Sequence, residues 1–234
     1  LKNRNFYTYG TNSKSNFLIK NIKQNIKFTQ FDLEIKVPNK KKLFIKKIKI
    51  PLLGVHNVRN SVAALAVALT VGISVSDIKK RLFNFEGVQR RFNKIFSYNN
   101  VNFFDDYAHH PTEISAILES IDQVYKKRKI ITVFEPHRYS RVLSLMKSFS
   151  NSFVKSDLVL LCPIYAAGEK KNSKFNTINF GKLISKKSKT QVILVRNFKE
   201  LSNYLKRNLI SDEIIIGMGA GKISQWMREL KLTL

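Results

Sequence analysis

Two aspartates and two histidines lie within six residues of one another in the segment FFDDYAHHPTE, Phe103–Glu113. Such side chains can bind a metal ion or move protons. Adjacent histidines in an extended segment point in opposite directions, so His109 and His110 are poorly placed to share one ion. Histidine pairs that share a metal prefer a spacing of four on a helix, and the chain contains neither HExxH nor CxxC. We therefore predict no metal site in this segment.

A helix should begin directly after the two histidines. Pro111 suits the first turn of a helix, and Glu113 suits its positive N-terminus. His109 or His110 then lies near the N-cap, and the apolar residues before Asp106 form a strand. The segment is therefore predicted to join a strand to a helix, with its polar side chains in the connecting loop.

The segment FEPHRYSR follows a predicted strand and carries His137, Arg138 and Arg141. The two arginines are three residues apart, so at the start of a helix they would share one face. Two guanidinium groups at a helix N-terminus could clamp a carboxylate or a phosphate. In so basic a chain a solvated basic turn is the alternative, but the position at the carboxyl end of a strand favours a site.

The segment GVHNVRN places His56, Asn57 and Asn60 at the start of an alanine-rich helix. An asparagine amide offers the paired donor and acceptor that suit an adenine edge. Taken alone, these residues are better explained by an asparagine N-cap. Further along the chain, GVQRRF carries Arg90 and Arg91 at a hinge, where one arginine could reach a phosphate.

The segment GMGAGK, residues 217–222, looks like a phosphate-binding loop. A Walker A loop requires a glycine five residues before its Gly-Lys pair and a hydroxyl residue after it. Those positions hold Ile216 and Ile223, so the pattern fails. We predict a tight turn between a strand and a helix, where small residues are needed.

The first half of the chain changes from strand patterns to helix patterns. Apolar and polar residues alternate in Phe31–Val37 and again in Leu43–Ile50, with a turn predicted at 38–41 between them. An alanine-rich helix and a second helix capped by Ser76 follow. A domain boundary is predicted near residue 87.

The second half begins with a hairpin and then alternates helices with short apolar strands. The segment 141–153 is predicted to form one of these helices. This rhythm is typical of an α/β domain with a mostly parallel sheet that is covered on both faces. Ligands of such sheets bind beyond the carboxyl ends of the strands, where FEPHRYSR, CPIYAAGE and GMGAGK are expected.

The 234 residues carry a net charge of +26, and 44% of them are hydrophobic. The charge could attract polyanions, but the lysines are spread along the whole chain, so we favour a compositional bias and predict no specific nucleic-acid partner. No apolar run reaches the length of a membrane span and no signal peptide is visible. The single cysteine, Cys162, fits a reducing cytosol. The chain does not begin with methionine, which suggests a fragment.

Six motifs follow one another in the order GVHNVRNSVAALAVA, GVQRRF, DDYAHHPTEI, FEPHRYSR, YAAGE and GMGAGKI. In this order they resemble the Mur ligase family over nearly the whole chain. The resemblance implies a Rossmann-like, mostly parallel α/β C-terminal domain with flanking helices at 87–234. It implies that residues 1–86 are the β-rich and helical tail of a central ATP-binding domain. The UDP-binding domain, the P-loop and the magnesium-binding segment of the family have no counterpart in this sequence.

The activity implied by the resemblance is an ATP-dependent ligation that adds L-alanine to UDP-N-acetylmuramate through an acyl phosphate. The expected location is the bacterial cytoplasm, in peptidoglycan synthesis, with Mg²⁺ held mainly by the absent N-terminal part. A fragment of this kind is expected to be inactive alone. One alternative is the family member that recycles murein tripeptide, and another is a basic nucleic-acid-binding remnant without catalysis.

The resemblance also assigns roles to individual residues. Arg91 and Asp106 are the implied catalytic residues, at the phosphates and the ribose. The implied ATP contacts are His56, Asn57, Asn60, Arg91 and Asp106. The implied amino-acid pocket consists of Tyr107, His109, His110, His137, Arg138 and Arg141.

Overall fold

The computed structural model describes residues 6–38 and 41–234. Contacts within the chain divide it into two units, Leu1–Gly87 and Val88–Leu234. Each unit has its own sheet and its own apolar core.

Alternating apolar residues build the sheet of the first unit. Its strands are β1 (Tyr9–Gly10), β2 (Phe17–Gln24), β3 (Thr29–Ile35) and β4 (Leu43–Ile50). They lie side by side in this order, with β1 parallel to β2 and the other pairs antiparallel. Phe31, Leu33 and Ile35 of β3 are all buried, as the period of two predicts. The predicted turn at 38–41 falls partly outside the described residues.

Two helices cover this sheet, α1 (Val55–Thr70) and α2 (Val75–Phe83). Val58, Val62 and Leu65 of α1 are buried in the same core as the strands. The N-cap of α2 is Ser74 and not Ser76, because the Ser74 hydroxyl accepts a hydrogen bond from the Asp77 amide at 3.1 Å. The predicted helix was right, and its start was wrong by two residues.

The second unit contains six strands and six helices in the part of the chain that the structure describes. The strands are β5 (Asn93–Tyr98), β6 (Val101–Asp106), β7 (Lys129–Phe134), β8 (Leu158–Leu161), β9 (Gln191–Leu194) and β10 (Glu213–Met218). The helices are α3 (Pro111–Val124), α4 (Tyr139–Ser144), α5 (Met146–Ser150), α6 (Thr177–Ser188), α7 (Phe198–Asn208) and α8 (Ile223–Thr233). The strand order is β5-β6-β10-β7-β8-β9, and only the hairpin β5–β6 is antiparallel. The predicted mostly parallel sheet is confirmed.

The two faces of this sheet are buried against different helices. Ile214 and Ile216 of β10 lie in one core with residues of α3, α5 and α6. Ile215, the residue between them, lies in a second core with residues of α7 and α8. Alternate residues therefore enter opposite cores, which is the pattern of a sheet covered on both sides.

The helix predicted over 141–153 is interrupted. Leu145 separates α4 from α5 with φ −112° and ψ 18°, which lie outside the helical region. Its side chain packs against the core that contains Phe149. The break shortens α4 to six residues. The helix whose N-terminus was predicted to act together with Arg138 and Arg141 is therefore short.

None of the helices within residues 6–38 and 41–234 has both the length and the apolar character that crossing a bilayer requires.

Candidate functional site

Four loops of the second unit leave the sheet at the same edge. They follow the carboxyl ends of β6, β7, β8 and β10, which are neighbours in the sheet. Parallel strands bring their carboxyl ends together, so these loops can form one site. The segments predicted as chemically important lie in three of them, at Asp106–His110, His137–Arg141 and Gly219–Lys222.

Asp106 fixes two segments of this edge to one another. Its side chain is only 1% exposed, its Oδ2 accepts from the Phe92 amide at 2.7 Å, and its Oδ1 accepts from the Ala108 amide at 2.7 Å. Burial raises the pKa of Asp106 to about 6. Each oxygen accepts a backbone hydrogen bond, so Asp106 holds the segments at Phe92 and Ala108 together.

The two arginines of the hinge have different surroundings. The Arg90 guanidinium lies 4.7 Å from the centre of the Tyr107 ring, and its Nη2 donates to the Gly219 carbonyl at 2.6 Å. Arg91 is half exposed and its Nη1 lies 3.8 Å from a carboxylate oxygen of Glu113. Arg90 is therefore held by contacts inside the unit, whereas Arg91 is the more exposed arginine of the pair.

The adjacent histidines have separate roles. The Nδ1 of His110 accepts from the Thr112 amide at 3.3 Å, and Glu113 reaches back to the His110 amide, which makes His110 the N-cap of α3. The His109 Nδ1 lies 2.8 Å from the Tyr107 carbonyl oxygen, and its ring centre lies 5.7 Å from that of His137. The structure confirms the predicted helix start and leaves His109 as the histidine that faces the other loops.

Four rings from three loops lie next to one another and form what we call the aromatic row, Tyr107–His109–His137–Tyr165. Their successive centres are 5.1, 5.7 and 5.5 Å apart. The Arg141 Nη1 lies 3.2 Å from the His137 Nδ1. Burial, followed by the nearby Arg141 charge, lowers the pKa of His137. His137 is therefore held neutral, with its Nδ1 as the acceptor for Arg141.

Arg138 occupies an unusual backbone position before α4. Its φ is 67°, which non-glycine residues rarely adopt, and its amide donates to the Tyr165 carbonyl at 2.9 Å. The Arg138 side chain is exposed. The backbone is thus fixed by a neighbouring loop, and the guanidinium is available to a ligand.

The helix part of the predicted clamp needs correction. The α4 helix has six residues, and its Ser140 amide already donates to Glu169 at 3.0 Å, while the Ser140 hydroxyl also donates to that carboxylate. Glu169 comes from the YAAGE segment after β8. An intramolecular carboxylate therefore takes the position at this helix start, and only the side chains of Arg138 and Arg141 remain for a substrate.

The GMGAGK loop also encloses a carboxylate of the chain itself. Glu135 is 5% exposed, and its two oxygens accept from the amides of Lys222 at 3.2 Å and Ile223 at 3.3 Å. Burial raises the pKa of Glu135. The backbone amides at the start of α8 are therefore occupied by a carboxylate of the chain itself. The predicted tight turn between strand and helix is confirmed.

Gly221 should be essential to this turn. A Cβ at that position would lie 2.5 Å from a carboxylate oxygen of Glu135 and 2.5 Å from the Tyr165 Cγ. We expect Gly221→Ala to lower the free energy of unfolding by about 2 kcal/mol, because the backbone or both neighbours must shift. Urea denaturation measures this loss.

Gly181 provides the control for the Gly221 substitution. It lies inside α6, where a Cβ would make ordinary contacts at 3.4 Å with Leu194 and Val192. Gly181→Ala should leave the stability unchanged or raise it by up to about 1 kcal/mol, because alanine is the better helix former. Equal effects of the two substitutions would show that the loop tolerates a side chain at 221.

The predicted adenine contacts lie in the first unit. Gly54, with φ 95°, is the N-cap of α1, so the N-cap interpretation of Asn57 is wrong. The Asn57 Nδ2 donates to the Leu53 carbonyl at 2.7 Å, which orients the amide and leaves its oxygen as an acceptor. Asn60 is exposed and His56 is half buried. These residues form a group of their own at the start of α1.

Several residues that position the site are not among those predicted from the sequence. They are Glu135, Tyr165 and Glu169, each of which contacts a predicted site residue or its loop. Asp105 is also buried, and its Oδ2 accepts from the Ser224 hydroxyl at 2.5 Å. Both Glu135 and Asp105 follow apolar strand residues directly. A carboxylate is rarely buried unless it is paired, so its position at the end of an apolar strand could have indicated a structural role.

Metal ligation has no obvious set of donors. Within residues 6–38 and 41–234, no three side chains of the types His, Cys, Asp and Glu are grouped closely enough to hold an ion.

Comparisons with known proteins agree with this architecture. Residues 1–68 match the Mur ligase middle domain, and residues 90–221 match the glutamate ligase domain of Mur ligases. The chain is 55% identical to a UDP-N-acetylmuramate–L-alanine ligase of Pelagibacter ubique, over 98% of this chain and 50% of that protein. It is 37% identical to the ligase of the same name from Rickettsia africae, over 97% of this chain and 48% of that protein.

Solved structures share the fold. A UDP-N-acetylmuramate-alanine ligase from Thermotoga maritima has a TM-score of 0.72 at 24% identity, over 94% of this chain and 46% of that one. A murein peptide ligase from Psychrobacter arcticus has a TM-score of 0.65 at 20% identity, over 94% and 44%. The chain spans about half the length of the curated relatives that it matches. Because one domain match covers residues 90–221, more than half of the 234 residues, the protein belongs to the Mur ligase family.

Proposed function

We propose that the complete gene product joins L-alanine to UDP-N-acetylmuramate with ATP as the energy source. The observation that carries this proposal is the placement of Arg138 and Arg141 beside the neutral His137 in the aromatic row. An amino-acid substrate needs cationic partners for its carboxylate and a neutral surface around its small side chain. The names of the curated relatives, which match nearly the whole chain, support the same activity.

The reaction requires activation of a carboxylate. A carboxylate does not react with an amine in water, because its leaving group would be oxide. Transfer of a phosphoryl group from ATP to the muramate carboxylate gives an acyl phosphate and ADP. The amine of L-alanine then attacks, and the tetrahedral species expels phosphate and loses a proton. The contribution of the protein to these steps is to position the reactants and to neutralise phosphate charge.

The amino-acid side of the reaction is assigned to the second unit. Arg138 and Arg141 pair with the L-alanine carboxylate, with His137 oriented by Arg141. Tyr107 and His109 extend the same surface, where the Tyr107 and His137 rings limit the size of the substrate side chain. His110 supports this pocket by capping α3 and is not itself assigned a substrate contact.

In the first unit, His56, Asn57 and Asn60 are assigned to the adenine. In the second unit, Arg91 is assigned to a phosphate group. The Asn57 oxygen is the acceptor that an adenine amino group needs. Arg91 is half exposed, as a phosphate-binding side chain must be. Asp106 acts through the segments that carry Arg91 and Tyr107. We assign no magnesium ligand to the described residues, because they contain no group of three suitable side chains.

The same proposal covers the domains and the location of the protein. Residues 1–86 are assigned to the end of the central ATP-binding domain, and residues 87–234 to the C-terminal domain. The reaction is assigned to the bacterial cytoplasm. The buried Cys162 is compatible with that location, since its burial raises the pKa of the thiol and keeps it protonated.

Phosphate release from ATP by the purified gene product tests this proposal. We expect release that requires both UDP-N-acetylmuramate and L-alanine, and that stops when either is omitted. The murein tripeptide should not replace L-alanine. Release with the tripeptide alone as acceptor would assign the protein to peptide recycling, and no release with either acceptor would contradict a ligase function.

A further inference from the structure

Tyr165 is fixed to the loop that carries the proposed alanine-binding residues. Its amide donates to the Pro136 carbonyl at 2.8 Å, and its carbonyl accepts from the Arg138 amide at 2.9 Å. These two bonds make a short parallel bridge between His137 and Tyr165. The position of Tyr165 relative to His137 and Arg138 is therefore set by the backbone and does not depend on loop flexibility.

The Tyr165 ring is held by contacts with two different loops. It stacks on the His137 ring with centres 5.5 Å apart and an interplanar angle of 24°. It also touches the backbone of Gly221, where even a Cβ would lie 2.5 Å from the Tyr165 Cγ. The ring cannot retreat towards Gly221, because no space separates the two.

A cavity of ≈ 430 Å³ opens next to this ring. Tyr165 and Gly221 line it, together with the cationic side chains of Arg90, Lys222 and Arg228. Glu229 also lines the cavity, and its carboxylate is bonded to the Gln225 side chain at 2.7 Å. Tyr165 thus contacts His137 of the proposed acceptor site and also borders a larger, mostly basic cavity.

We propose that Tyr165 determines specificity by forming a wall between the acceptor site and this cavity. The inference rests on the proposed function, because it assumes an amino acid bound at Arg138 and Arg141. With the ring in place, only a small side chain fits against His137. Without the ring, a longer side chain can extend into the cavity, where an acidic one gains the exposed Lys222 as a partner.

Replacing Tyr165 by alanine in the complete gene product tests the wall. We expect the ratio of kcat/KM for L-glutamate to that for L-alanine to rise by about tenfold or more, the change that a few methylene groups of pocket space typically produce. L-Leucine should gain less, because the cavity is basic. A gain for either acceptor supports the proposal, and an unchanged ratio for both in a folded variant that still uses L-alanine overturns it.

Three further variants separate size from other effects. Tyr165→Phe keeps the ring and should keep the wild-type ratio, so a shift as large as that of Tyr165→Ala would contradict a steric wall. Tyr165→Leu opens less space and provides a folded alternative if the alanine variant is unstable. Tyr204→Ala changes a half-buried tyrosine on α7 and should not alter the ratio.

A wild-type enzyme that does not use L-alanine would instead contradict the proposed function itself.

Discussion

Arg138→Ala should raise the KM for L-alanine by about 30-fold or more, while the KM for ATP changes by less than about threefold. Loss of a hydrogen-bonded partner for a charged group costs about 2 kcal/mol, and each 1.4 kcal/mol is a factor of ten in affinity. The Arg138 side chain is exposed. The loss should therefore appear in substrate binding. Steady-state kinetics with each substrate varied in turn measure both constants.

Alanine is the informative replacement at this position. It keeps a Cβ and so preserves the backbone restriction at φ 67°, whereas glycine would also relax that conformation. Arg207→Ala removes an exposed arginine from α7 and provides the matched control, with no expected change in either constant. An unchanged KM for L-alanine in Arg138→Ala would exclude the clamp.

The spacing of apolar residues along the sequence predicts the strands and helices of the fold. Departures from that prediction are explained by local packing contacts. The alternation in β3 and the apolar strand β10 predicted the two kinds of sheet, because burial on one or both faces dictates those patterns. The break at Leu145 could not be predicted in the same way. The residue suits a helix, and only its packing against the core around Phe149 explains its conformation.

The site was predictable where chemistry is local in sequence. His110, Pro111 and Glu113 form a capping box within four residues, so the start of α3 could be derived from their types alone. The contacts of Glu135 with Lys222 and of Ser140 with Glu169 join residues 87 and 29 positions apart. Such pairs depend on strand order, and no local pattern encodes them.

Glu135 and Glu169 both occupy backbone amides that could otherwise have bound an external anion. The GMGAGK loop and the start of α4 each offer backbone amides that resemble an anion site, and each is already used by a carboxylate of the chain. The amides that hold the loops in place are thus separate from the arginine side chains left for a substrate. The carboxylates of Glu135 and Glu169 also offset part of the positive charge of these loops. The loops therefore repel one another less.

Asp106→Asn should flatten the dependence of stability on pH. Burial raises the pKa of Asp106 from 3.8 to about 6, so between about pH 4 and pH 6 the folded chain binds more protons than the unfolded chain. The contribution of this group to stability is therefore complete only below the unfolded pKa of 3.8, and it is lost as the pH rises through the folded pKa. At about 1.4 kcal/mol per pKa unit, the free energy of unfolding of the wild type falls by ~3 kcal/mol in total. Asparagine does not titrate, so the variant lacks this decrease.

Urea denaturation of wild type and variant at pH 4 and pH 7 measures this difference. The asparagine variant should gain about 2.4 kcal/mol relative to wild type over that interval, because part of the loss has already occurred at pH 4. Glu135, whose pKa is also raised by burial, titrates in both proteins and cancels in the comparison. Asp122→Asn, at a half-exposed position on α3, should change the pH dependence by less than about 0.5 kcal/mol. Parallel profiles for wild type and Asp106→Asn would show that the Asp106 charge is not destabilised.

The same variant should lose activity even where it gains relative stability. An asparagine can accept from only one of the two amides, Phe92 or Ala108, and its own amide group would face the other. The segments that carry Arg91 and Tyr107 would then no longer be fixed to one another. We expect kcat of the complete gene product to fall by about tenfold or more, since small displacements of positioned groups have effects of this size. A buried charge that lowers stability while it holds two loops in place is best explained by a requirement of function, and the kcat of this variant tests that explanation.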